Sequence, residues 1–133
     1  MIESDLQSLL LTDATLIANS VTVQPHRGRD LDPDDNYVLY TVVSNSRVDN
    51  KLTQAAATEE KRIQYDVWSK SYVTARTIAN AITTLLHRHQ GTVGSHTVYG
   101  IFHDSERETT ANLTSGQDVV MYGVQVDFRV TYL

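Results

Sequence analysis

Residues 62–86 read RIQYDVWSKSYVTARTIANAITTLL, and this stretch decides how the rest of the chain can be arranged. Ile63, Tyr65 and Val67 alternate with Arg62, Gln64 and Asp66, the two-residue period of a strand with one buried face. After Trp68 the period changes. Ser69 or Ser71 can cap a helix by accepting from its free backbone N–H groups. Tyr72, Ala75, Ile78, Ala79, Ile82, Leu85 and Leu86 then fall on one helical stripe, with Arg76, Asn80 and Thr84 facing away. Each buried Ile or Leu is worth roughly 1.5–3 kcal/mol, so this helix is expected to make the largest apolar contribution in the chain. His87, Arg88 and His89 put basic groups in the expected last turn, and Gly91 offers a left-handed cap.

Upstream, residues 44–59 (SNSRVDNKLTQAAATE) show no clear period and read as a long irregular stretch. A hairpin extension around Val48, Asp49 and Asn50 is the alternative. Residues 37–43 are β-branched and aromatic on both faces, as a centrally placed strand would be. Residues 21–25 alternate and meet Pro25, which ends a strand or confines it to a sheet edge because proline cannot donate to the ladder. Ile2, Leu6, Leu9 and Leu10 repeat at helical spacing, and Asp13 can cap a second short turn.

Downstream, residues 97–103 read as a strand, with Val98, Gly100 and Phe102 opposed to Thr97, Tyr99 and Ile101. Residues 104–118 form a second long polar stretch. Residues 119–132 alternate most cleanly: Val120, Tyr122, Val124, Val126, Phe128, Val130 and Tyr132 against Gln125, Asp127, Arg129 and Thr131. At ~3.3 Å per residue this strand spans on the order of 45 Å, more than a domain of this size needs, so it is expected to bend or project. The expected architecture is α+β: a mainly antiparallel β-sheet with an N-terminal helix and one long amphipathic helix packed on it, in a single domain over residues 1–133.

The 133 residues carry 41% hydrophobic and 20% charged side chains, an ordinary globular balance. A formal charge of -5 argues against a dedicated nucleic-acid binder, which would carry a basic face. There is no cysteine, which removes disulfides, thiolate metal sites and cysteine nucleophiles together. The N-terminal MIESDLQSLLL lacks a basic leader region, and no apolar run approaches the ~18 residues of a membrane helix. A soluble protein made in cytoplasm, without a membrane partner, is expected.

No motif carries catalysis or a cofactor. Residues 30–36 (DLDPDDN) resemble the start of a calcium loop, but the sixth and twelfth positions are Asp35 and Thr41 instead of glycine and glutamate. His87 and His89 are two apart on a helix, and His96 and His103 seven apart on a strand, so neither pair shares a face by spacing and no metal site is expected. Asp66 and Asp127 could become neighbours, but they read as ordinary wet-face residues beside Arg62 or Arg129. Asp104, Glu106 and Glu108 with Arg107 read as a solvated mixed-charge loop. That leaves the two long polar stretches, because loops carry function. Arg47, Val48, Lys51 and Leu52 in the first, and Arg107 and Leu113 in the second, are the candidate subunit or partner interface.

The run from Ile63 to Ser69, followed by Ser71, Tyr72 and Ala75, resembles the tail completion or tail terminator (head-to-tail joining) family of long-tailed bacteriophages. The leucine-rich N-terminus, the Val-x-Val-x-Pro strand at residues 21–25, Val98 to Ile101 leading into Asp104 to Glu108, and the closing Val126 to Tyr132 agree with that pattern in order. Residues 109–118 depart from it by lengthening the connection before the last strand. The resemblance implies a non-enzymatic virion protein without cofactors, found in the tail or neck after assembly in host cytoplasm. It implies a homo-oligomeric, commonly six-fold, ring at the head-proximal end of the tail that terminates the tail tube and joins it to the head connector or stopper. DNA would pass through the lumen without specific binding. A small α+β protein-binding module without catalysis is the alternative.

Overall fold

The computed structural model describes residues 1–25, 36–48, 58–114 and 118–133. In chain order the elements are α1 (Ile2–Leu10), α2 (Ala14–Ala18), β1 (Thr22–Pro25), β2 (Tyr37–Val48), β3 (Thr58–Ser69), α3 (Tyr72–Leu86), β4 (Gly91–Val93), β5 (His96–Thr114) and β6 (Asp118–Tyr132). The strands form one six-stranded sheet in the order β1-β2-β3-β6-β5-β4. β1 runs parallel to β2, and every other pairing is antiparallel. The class is α+β.

The core lies on one face of this sheet. Ile63, Tyr65 and Val67 of β3 and Val124, Val126, Phe128 and Val130 of β6 meet Ala75, Ile78, Ala79, Ile82 and Leu86 of α3. Ile2, Leu6 and Leu10 of α1 and Leu16 of α2 complete the same cluster. Ser71 begins α3 by accepting from Thr74 N at 3.4 Å, and Asp13 begins α2 by accepting from the backbone N–H groups of Thr15 and Leu16. Pro25 ends β1 at the sheet edge, as its missing N–H requires.

Two members of the expected helical stripe are not core. Leu85 is only partly buried, and Tyr72, in the first turn, is 44% exposed and leans on Tyr122. The helix also stops sooner than the basic run suggests. His87 is already extended, and Arg88 takes the left-handed position (φ 65°) and donates its N–H to Ile101 O at 2.7 Å. His87, Arg88 and His89 therefore lie beyond the last turn. Gly91 (φ 117°) opens β4, a short strand that sequence alternation does not mark.

Both long polar stretches contain strand among their described residues. β2 continues to Val48 and pairs with β3 back to Thr58, the hairpin alternative, while residues 49–57 lie outside the described residues. β5 continues to Thr114 against β6. These segments lack a hydrophobic period because their side chains at 44–45 and 104–110 are exposed and lie beyond the core. The backbone ladder, not a buried face, holds them.

A β-bulge changes the parity of β5. The register slips between Val98 and Gly100, so Val98 and Ile101 both point inward while Phe102 is about half exposed. The same slip puts His96 and His103 on one face, against Tyr132 and Phe128 respectively. Strict alternation had placed Phe102 with Val98 and parted the two histidines.

Inside the core, the Tyr65 ring packs against Tyr40 and Phe128, but its fully buried hydroxyl finds no partner among the described residues. Burial pushes its pKa up. An unpaired buried hydroxyl costs about 1–3 kcal/mol. Tyr65→Phe is therefore expected to raise stability by roughly 1 kcal/mol, read as a higher urea midpoint at unchanged m value.

α1 is tied to distant strands by two carboxylates. Glu3 accepts from Lys61 Nζ at 2.9 Å, and Asp5 Oδ2 lies 2.5 Å from His96 Nδ1 and 3.4 Å from Ser95 N. The hydrogen bond to His96 holds the Asp5 carboxyl below its ordinary value. Burial pulls Glu3 upward, but the Lys61 ammonium and a backbone hydrogen bond outweigh it and leave that carboxyl lowered too. Lowered folded-state values stabilise the protein above the unfolded carboxylate range and stop doing so as pH falls through them. Melting temperatures in a pH series should drop on the acid side of that range, and Asp5→Asn should flatten the drop.

Candidate functional site

The face of the sheet away from the helices is built of ladder rows that cross β3, β6 and β5. Arg62 stands opposite Arg129, Gln64 opposite Asp127, and Asp66 opposite Gln125. Asp127 accepts from Arg62 Nη2 and from Ser105 Oγ, each at 3.1 Å. Asp104 bridges to Arg129 Nε at 3.4 Å and to Arg62 Nε at 3.8 Å. Asp66 accepts from Gln64 at 3.3 Å and from Gln125 at 3.1 Å, and Arg107 donates to Gln125 at 2.9 Å. Asp66 and Asp127 are thus matched to separate donors, but Asp127 is buried instead of lying on a wet face. No group of histidines and acids able to hold a metal occurs among the described residues. The acidic stretch at residues 30–36, already unfit for calcium by sequence, lies outside the described residues except for Asn36.

One row of this face is apolar. Trp68 stands opposite Gly123, which stands opposite Thr109. A Cβ on Gly123 would lie 2.8 Å from the indole ring and 3.0 Å from Thr109 Cγ2, so only glycine leaves room for the ring against β6.

On the helix side, Glu106 and Glu108 of β5 do not sit in a solvated loop. Both meet Arg76 Nη1, at 3.2 and 3.3 Å, and Tyr72 donates its hydroxyl to Glu108 at 2.8 Å. The first half of α3 is thereby fastened to β5. Beside this clasp, Tyr72, Glu108, Thr109, Thr110 and Tyr122 line an open hollow of about 430 Å³. Arg76 was legible only as a helix residue facing away; its partners are some thirty residues distant and carry no local signal.

The candidate interface residues divide between opposite corners of the sheet. Arg47 and Val48 end β2, level with Glu59 and Thr58. Lys51 and Leu52 lie outside the described residues. Arg107 is level with Gln125, and Leu113 is level with Val119 in the last rows of the β5–β6 hairpin. Those last rows project past β3, whose own pairing with β6 stops at Ser69 opposite Tyr122.

Besides the outer sides of the terminal strands β1 and β4, stretches of β2 and β5 lie open among the described residues. β1 covers β2 only from Tyr37 to Tyr40, which leaves residues 41–48 uncovered on that side. Val42 and Val43 there are 37% and 49% exposed. β4 covers β5 only at residues 96–98, and the N–H of Arg88 and the ring of His87 reach it at Ile101 and His103. Residues 105–114 lie beyond that cover.

The model of one family, described as tail completion protein gp17, matches residues 4–133. Among solved structures, the fold is similar to that of a chain in the virion of a native gene transfer agent (GTA) particle. The TM-score is 0.68 at 14% sequence identity, over 96% of this chain and 90% of that one. No curated protein sequence matches the chain.

Proposed function

The chain belongs to the tail completion protein gp17 family, and on that premise we propose that it assembles as a ring at the head-proximal end of a phage tail. Family membership makes it a structural component of the virion, in the tail or neck. The finer reading is that a homo-oligomeric ring, six-fold as the resemblance implies, stops growth of the tail tube and presents a docking surface to the head connector. DNA crosses its lumen without sequence-specific contacts, which suits a chain of formal charge -5.

The observation that carries this reading is the family match across residues 4–133, joined to a sheet whose open stretches on β2 and β5 are unlike one another. A ring of identical subunits needs two different complementary surfaces on each subunit.

Mass photometry and negative-stain microscopy of the purified chain, alone and with tail tube protein, should give a closed ring. Immobilised protein should capture tail tube protein and head connector. A chain that stays monomeric in both settings and captures neither would overturn the proposal. Arg47→Ala with Lys51→Ala is expected to leave melting unchanged and to reduce ring formation. Unchanged assembly would remove those two side chains from the interface.

A further inference from the structure

The open stretches of β2 and β5 have opposite character. Residues 41–48 of β2 (TVVSNSRV) contain no acid, a single base and two exposed valines. They contain neither proline nor lysine, which natural edge strands use against unwanted pairing, although a β-bulge falls between Val42 and Ser44. Residues 104–110 of β5 (DSERETT) carry three acids and one base. Pairing β5 with β5 of another copy would set acid against acid, whereas pairing it with β2 would not.

Strand direction agrees. Successive antiparallel pairings from β2 through β3 and β6 to β5 leave β2 and β5 running in opposite senses. A second copy laid beside the first in the same orientation therefore offers its β5 antiparallel to β2. The open segments are not level, however. Thr41 shares a row with Gln64, Asp127 and Ser105, so the open part of β2 stands beside the covered part of β5, and the two open parts occupy diagonal corners.

Resting on the ring reading above, we propose that adjacent subunits join by strand addition, the open edge of β2 in one copy pairing antiparallel with residues 105–114 of β5 in the next. Bringing the open parts together requires the neighbour to slide along the strands by about seven residues, roughly 23 Å at ~3.3 Å per residue. Repeated around a closed assembly, such a slide demands strands tilted to the ring axis, as in any closed sheet with a stagger. The contact is heterologous and consumes the open parts of β2 and β5 in every subunit.

The absence of native cysteine makes the test direct. Val43→Cys and Thr109→Cys are each made singly, at exposed positions, and oxidised alone and as an equimolar mixture at high protein concentration. Disulfide-linked dimer is expected from the mixture and not from either variant alone, and the double variant should form covalent multimers that end at the ring. A second pair of variants carries the charge argument. Val43→Asp should lose assembly while keeping its melting temperature, and Val43→Lys should assemble. Equal cross-linking by the single variants, cross-linking by neither arrangement, or unchanged assembly of Val43→Asp would overturn the edge pairing. A ring that forms without the mixed cross-link overturns this contact and leaves the ring reading intact. A chain that neither rings nor cross-links removes both.

Discussion

Ile82→Asp is expected to leave no cooperatively folded protein at room temperature. Ile82 is fully buried in α3, among the residues that meet β3 and β6. Removing an isoleucine side chain from such a site costs about 2–5 kcal/mol. Placing a carboxylate there adds several kcal/mol more, since its neighbours in the described core are apolar. A domain of this size has roughly 5–15 kcal/mol in total. The expected readout is loss of a thermal transition by circular dichroism. Asn80→Asp is the control: it adds the same charge on the exposed side of the helix, beside Arg76, and should shift stability by less than about 0.5 kcal/mol. A soluble Ile82→Asp protein that melts like the parent would show that the stripe is not core.

Gly123→Val should have the second-largest effect, through the opposite face. Its Cβ meets the Trp68 ring at 2.8 Å and Thr109 at 3.0 Å, closer than side chains pack. The ring must lift off β6 or the ladder must part, and overpacking of this kind costs about 1–3 kcal/mol. Trp68 is the single tryptophan of the chain, so its fluorescence reports the displacement without labelling. A red-shifted emission together with a lower urea midpoint is expected. Unchanged emission would mean that the ring does not depend on the glycine.

The residues that were legible in the sequence are those whose partners are periodic. Ile63, Tyr65 and Val67, the inner face of β6, and Ile78, Ala79 and Ile82 each repeat an environment, and periodicity reads environments. What was hidden depends on single residues or on distant ones. A one-residue bulge near Tyr99 reverses the parity as far as His103, where a second shift restores it, and neither leaves a compositional trace. The outer halves of β2 and β5 looked irregular because side chains exposed beyond the core, as at 44–45 and 104–110, have no hydrophobic rhythm. The candidate interface suffered in the same way. Arg47 and Arg107 could be picked out as charges on long polar stretches, but their assignment to opposite corners of one sheet needed the strand order. The clasp of Arg76 by Glu106 and Glu108 joins a helix to a strand that had been read as a loop.

The anchoring of α1 bears on how the chain comes to be folded. Its carboxylates are matched to Lys61 and His96, 58 and 91 positions further along. During synthesis the first helix therefore emerges well before these two partners exist, although Gln7 can already meet Val23 and Tyr40. The central β3–β6 pairing, from Glu59 opposite Tyr132 to Ser69 opposite Tyr122, also spans a long sequence separation, which favours slow folding over microsecond folding. Closure of the core is then a late event that comes only once the chain is complete. Fusing a stalling sequence just after residue 90 should yield a nascent chain readily cut within α1, with protection appearing only when the stall is moved past residue 133.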